Sequence, residues 1–140
     1  MAGPIRIAAN SFRQAAIERL KDAQCLHNNQ RFEGAIYLCG YVLECFLKFV
    51  ICETRKQQGM DSGEAKRLGH NLIELLATSQ LRNALAQNQD LWVAFQGINN
   101  RWSPELRYSG RTTDRRTSEV FLRDAKDLRN WLSQQTRLRP

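Results

Sequence analysis

Hydrophobic positions recur at helical spacing in almost every segment of this chain that carries them. The longest run is 31–53, RFEGAIYLCGYVLECFLKFVICE, where apolar or small residues fill nearly every position from Phe32 to Cys52 and the only charges are Glu33, Glu44 and Lys48. A helix apolar on all sides belongs in a membrane or at the centre of a packed bundle. At ~1.5 Å per residue this one would be roughly 30 Å long, enough for either place. The charges decide. Each would cost about 2.5–3.5 kcal/mol at a bilayer centre, whereas in a bundle Glu44 and Lys48 form an i,i+4 pair with the acid first, the favourable order. Gly34, Ala35, Cys39 and Gly40 would let a neighbouring helix approach closely. The expectation is a central bundle helix rather than a membrane span.

The rest of the pattern arranges itself around that helix. Residues 1–10 read as an extended arm, and Ser11 with Gln14 has capping-box spacing for a first helix. Phe12, Ala16, Leu20, Ala23 and His27 then recur at helical period to about Asn28. The connection to the central helix is so short that the two should form an antiparallel hairpin. Residues 54–69, with Gly59, Gly63 and Gly69, read as a loop holding one short helical turn. Asn71 and Glu74 repeat the cap-plus-acid spacing ahead of Leu72, Ile73, Leu75 and Leu76. Ser79 and Gln80 reopen a helical pattern through Leu85, and Leu91–Ile98 is a further apolar helical piece, separated or kinked near Asn88–Asp90. Residues 97–110 read as irregular, because Pro104 disfavours helix at Ser103, and 111–116 as a charged loop. Thr117 or Ser118 caps a last helix striped by Phe121, Ala125, Leu128 and Leu132, with Trp131 beside the stripe and Glu119 in its first turn. The tail, 136–140, reads as loose. No alternating strand pattern is evident. The predicted fold is all-α: an up-and-down antiparallel helical bundle of four main helices plus short ones, in a single domain over 1–140.

Composition supports one domain with a real core, at 140 residues and 42% hydrophobic. Charge changes the picture more. The formal net charge is +7, and residues 101–140 hold ten Lys/Arg against five Asp/Glu, a net of +5. A basic last third points to phosphate or nucleic acid, or else to a solvated surface. Cys25, Cys39, Cys45 and Cys52 show no CxxC spacing, and three lie in the central helix. They read as reduced thiols packed as small hydrophobes in a reducing cytoplasm, not as zinc ligands. The N-terminal residues lack the apolar core of a secretory signal.

Three constellations could carry chemistry. The first is 101–110, RWSPELRYSG, with Arg111 following. Arg101, Arg107 and Arg111 could grip phosphate, and Trp102 or Tyr108 could stack a base. Alternatively Glu105 pairs with an arginine while Trp102 and Tyr108 anchor the loop on the bundle. The second is Glu44 with Lys48, which either orients a ligand or satisfies itself and a neighbouring helix end. The third is His70, at a helix start in GHNL, a catalytic base if it had a partner and otherwise a residue bonded to a nearby carboxylate or backbone. His27 reads as a helix-end histidine bonded to backbone. With only two histidines no histidine-rich metal site is expected, and no cofactor.

Taken together, RFEGAIYLCGYVLECFLK (31–48), GHNLIELL (69–76), WSPELRYS (102–109) and the amphipathic stretch Ser118–Leu132 resemble the HEPN domain family in order and spacing. The resemblance implies a mostly antiparallel helical bundle that pairs into a homodimer. It also implies a small prokaryotic protein working with a nucleotidyltransferase partner in a toxin–antitoxin or defence pair. One branch of the family acts as metal-independent RNases through an arginine and a histidine separated by four to six arbitrary residues, composed across the dimer. This chain departs from that branch. Arg107 stands six residues after Arg101, and no histidine follows His70. Arginine cannot shuttle protons near neutral pH, so Arg101 and Arg107 would bind phosphate or stabilise charge. The implied role is a binding module for a nucleotide, RNA or the partner protein. A degenerate endoribonuclease using Arg101, Glu105, Arg107 and Tyr108, or a structural or regulatory subunit, are the alternatives.

Overall fold

In the computed structural model, residues 6–102 and 113–137 are described. Residues 1–5, 103–112 and 138–140 therefore lie outside the described residues, and with them the expectations for those stretches. The order is β1 (Arg6–Ala8), α1 (Ala9–Asn28), α2 (Phe32–Thr54), β2 (Gly59–Asp61), α3 (Ser62–Leu68), α4 (Leu72–Thr78), α5 (Arg82–Ala86), α6 (Gln89–Arg101) and α7 (Arg115–Arg137). The protein is mostly helical, as its periodicity predicts.

The helix α2 is the core. It packs on α1, α7 and α4, and its buried residues include Cys39, Val42, Leu43, Phe46, Leu47, Val50 and Ile51. Among the described residues it alone is long and apolar enough to cross a membrane, yet 72% of its most apolar window is enclosed by the rest of the chain. Protein covers the surface that lipid would otherwise cover. The turn at Asn29–Arg31 folds α2 back along α1, closed by the Arg31 amide donating to the Leu26 carbonyl at 2.8 Å. The α7 stripe of Phe121, Leu122, Ala125, Leu128 and Leu132 is buried against α2, as its spacing predicts.

Several boundaries differ from the sequence expectation, each for a local reason. The arm is not simply extended: Arg6–Ala8 pairs antiparallel with Gly59–Asp61, Ile7 facing Met60. Three-residue strands are too short to show alternation in a sequence. Gly59 is required there, since a Cβ would stand 2.5 Å from the Ile7 carbonyl oxygen. This pairing also starts α1 early, because the Ala9 amide donates to the Gln58 carbonyl at 2.7 Å. Ser11 therefore lies inside the helix, and Gln14 bonds Glu18 instead of completing a capping box.

Asn71 caps α4 as expected, its side chain accepting from the Glu74 amide at 3.1 Å. Ser79 and Gln80, in contrast, are a turn. The Ser79 hydroxyl donates to the Leu76 carbonyl and accepts from the Leu81 amide, and α5 starts only at Arg82. Asn88 caps α6 through the Leu91 amide. α6 runs on to Arg101 rather than fraying at Gly97, because the proline restriction reaches back only to Ser103.

At α7 the capping oxygen comes from Asp114, which accepts from the Thr117 amide at 2.8 Å; that bond holds the Asp114 carboxyl below its ordinary range. Ser118 is freed for another task. Its hydroxyl, fully buried, bonds His27 Nδ1 at 2.8 Å and ties the end of α1 to the start of α7. His27 thus has a side-chain partner, not the expected backbone one.

Beside the sheet, Arg55 donates to Glu64 at 2.5 Å and holds that carboxyl below its ordinary 4.5. A carboxyl with a lowered folded pKa adds stability above its unfolded pKa and loses that contribution as pH falls through the folded value. Glu64→Gln should therefore flatten the acid limb of a stability–pH profile below about pH 4.5, while costing less than about 1 kcal/mol at pH 7 because the pair is partly exposed. Urea melts from pH 2 to 7 check this, and an unchanged acid limb would refute it.

Candidate functional site

One face of α2 carries Tyr37, Tyr41, Glu44 and Lys48, spaced four, three and four apart, so their side chains stack along a single stripe. Two other elements converge on this stripe. The turn before α4 delivers His70, and the C-cap of α6 delivers Trp102.

The polar centre is the Glu44 carboxylate, which is buried. Its Oε2 accepts from Lys48 Nζ at 3.1 Å, and its Oε1 accepts from His70 Nδ1. Both Glu44 and Lys48 are more than nine-tenths enclosed, whereas the His70 side chain is 45% exposed. Charges buried this deeply persist only when paired. Here one carboxylate serves two donors, each on its own oxygen. In neutral imidazole a protonated Nδ1 leaves the Nε2 lone pair free as an acceptor, and no partner bonds Nε2 among the described residues. The chemical result is an oriented imidazole with a carboxylate behind it.

An aromatic wall closes the other side. The Tyr41 ring meets those of His70 at 5.6 Å and Trp102 at 5.2 Å, both edge to face, and the Tyr37 and Tyr41 hydroxyls bond at 3.0 Å. The Trp102 indole N–H donates to the Tyr37 carbonyl at 2.8 Å. Its ring lies flush on the α2 backbone at Gly40, where a Cβ would come within 2.0 Å of the indole. Glycine is what lets the indole seat there.

These positions sort the expected site residues. Glu44, Lys48, His70 and Trp102 come together. Glu44 is the carboxylate partner that His70 was missing in the sequence. Trp102 is only 6% exposed, so it anchors the chain rather than offering a face to a base. Arg101 is exposed at the last residue of α6, next in sequence to that anchor. Glu105, Arg107, Tyr108 and Arg111 lie outside the described residues. Tyr37 and Tyr41 are the members that sequence reasoning did not single out, although their spacing from Glu44 and Lys48 on one helical face was readable.

The cysteines contribute no nucleophile here. All four are free. Burial pushes the Cys39 thiol up to about 12 and that of Cys45 to about 11, while Cys25, unlike the other three, is exposed. No cluster of three or more potential metal ligands occurs among the described residues. Compared with protein-family models, curated proteins and solved structures, the chain matches none.

Two substitutions measure the site. Glu44→Ala would leave Lys48 buried without its partner and should destabilise the fold by about 3–5 kcal/mol; a loss under 1 kcal/mol in urea denaturation would contradict the pairing. Gly40→Ala should force the indole off α2, costing about 1–3 kcal/mol and shifting tryptophan emission to the red. An unshifted spectrum with unchanged stability would refute the contact.

Proposed function

We propose that this chain is a HEPN-like homodimeric binding module whose Arg-rich segment, from Arg101 through Arg107 to Arg111, receives a nucleotide, RNA or a nucleotidyltransferase partner. In this reading α1, α2, α6 and α7 are the four main helices of the up-and-down bundle. The protein belongs to a prokaryotic toxin–antitoxin or defence pair in a reducing cytoplasm, a setting that suits four free thiols. The observation that carries the reading is the seating of Trp102 on Gly40 and Tyr41. It fixes the start of the basic segment, at Arg101 and Trp102, against α2, and a group already held in place loses less entropy on binding an anion.

A second reading, a metal-independent endoribonuclease, is favoured by the bond between Glu44 and His70. A carboxylate-held imidazole with a free Nε2 can accept the proton of a ribose 2′-hydroxyl, the role for which the arginines are unsuited.

Titration of labelled single-stranded RNA and of nucleotides over a salt series separates the two. For the binding module, RNA affinity falls with salt, and Arg107→Ala weakens it and lowers the log–log salt slope by about 0.7, the share of one phosphate contact. Absence of binding at low salt, or indifference to Arg107→Ala, overturns the nucleic-acid form of the proposal. Cleavage of the same RNA by pure protein, lost in His70→Gln, would instead select the nuclease.

A further inference from the structure

Away from the Glu44 cluster, α1 and the C-terminal half of α7 enclose a cleft of about 290 Å³ over the buried Phe46 ring of α2. Its polar lining is Arg13, Arg129, Asn130, Ser133 and Gln134, and it contains no carboxylate. That composition is uncommon for a surface where acids and bases normally alternate. Arg13 makes no hydrogen bond or ion pair among the described residues. Arg129 donates from Nη2 to Asn130 Oδ1 at 3.0 Å, which leaves the Asn130 amide group free to donate as well. The Arg129 Nε is sealed from water with no acceptor, the single such buried side-chain atom among the described residues. A buried donor without an acceptor is costly and usually marks a missing partner.

We infer that this cleft binds a phosphate group. Two guanidinium groups supply forked donors that match phosphate oxygens, and the Asn130 amide and Ser133 hydroxyl add neutral donors. A small turn of the Arg129 side chain would bring its sealed N–H to an incoming oxygen. The phosphate is either a free phosphate or monoester, or a phosphodiester of a nucleic-acid strand; the donor chemistry is common to both. The site stands independently of the Arg101–Arg111 segment.

The test is calorimetric titration of the whole chain with inorganic phosphate and, separately, with a short single-stranded RNA lacking terminal phosphates. Both are repeated with Arg13→Gln and with Arg129→Lys, which keeps the charge but loses the planar fork. Saturable phosphate binding that weakens tenfold or more in both variants, with helical circular dichroism unchanged, supports a free-phosphate site. RNA binding weakened tenfold by the same variants, with inorganic phosphate bound weakly or not at all, assigns the site to a nucleic-acid backbone. Affinities for both ligands that neither variant alters overturn the inference, as does a failure of both to bind. Arg107→Ala run alongside keeps the two proposals apart, since its effect reads the basic segment alone.

Discussion

The constraint that governs this molecule is the burial of α2. A helix with apolar side chains around its whole circumference gains only if every side is covered, and α1, α4 and α7 supply that cover. The requirement extends to its two interior charges. Glu44 and Lys48 are more than nine-tenths enclosed, so each must be answered within the fold. The i,i+4 bond answers Lys48, and the second carboxylate oxygen of Glu44 reaches outward to His70. The turn before α4 is thereby bound to the core by charge as well as by packing. A change at Glu44 would disturb α2 and the turn before α4 at once.

The same enclosure shapes what the surface can do. Because α2 presents glycine at residue 40, the end of α6 closes down on it and the indole of Trp102 fills a place that any side chain would occupy. Tyr41 meets both that indole and the imidazole of His70, and those two rings also meet each other edge to face at 6.1 Å. The start of the basic segment and the one half-exposed titratable group of the cluster therefore share an aromatic neighbour, and moving either alters the packing of the other.

How much of this was readable in the sequence follows from the range of each interaction. Helix-period hydrophobicity showed α1, α2 and α7, and the Asn71 cap was plain because a cap is local in sequence. The Glu44–Lys48 pair was legible for the same reason, being four residues apart. What escaped detection joins distant residues: Gln58 with Ala9, Ser118 with His27, Glu44 with His70. Ser118 is the instructive case. Its type and position suit a helix cap, but Asp114 takes that role and a histidine ninety-one residues away in sequence takes the hydroxyl. The aromatic cluster was half legible: Tyr37, Tyr41 and Glu44 share a face by spacing, but nothing in the sequence near Trp102 names Gly40 as its seat.

The burial of α2 also sorts the sulfur chemistry of the protein. Cys39 and Cys45 are held as thiols far above neutral pH, and Cys52, buried, is raised in the same direction. Cys25 alone stands at the surface, on the last turns of α1. Cys25 is thus the most accessible thiol for a maleimide dye or spin label, with Cys45 partly buried and Cys39 and Cys52 enclosed. Three further thiols would report unfolding by becoming reactive. A distance probe placed on Cys25 sits close to the turn that folds α2 back along α1, so the molecule's central hairpin can be followed in solution using its own side chains.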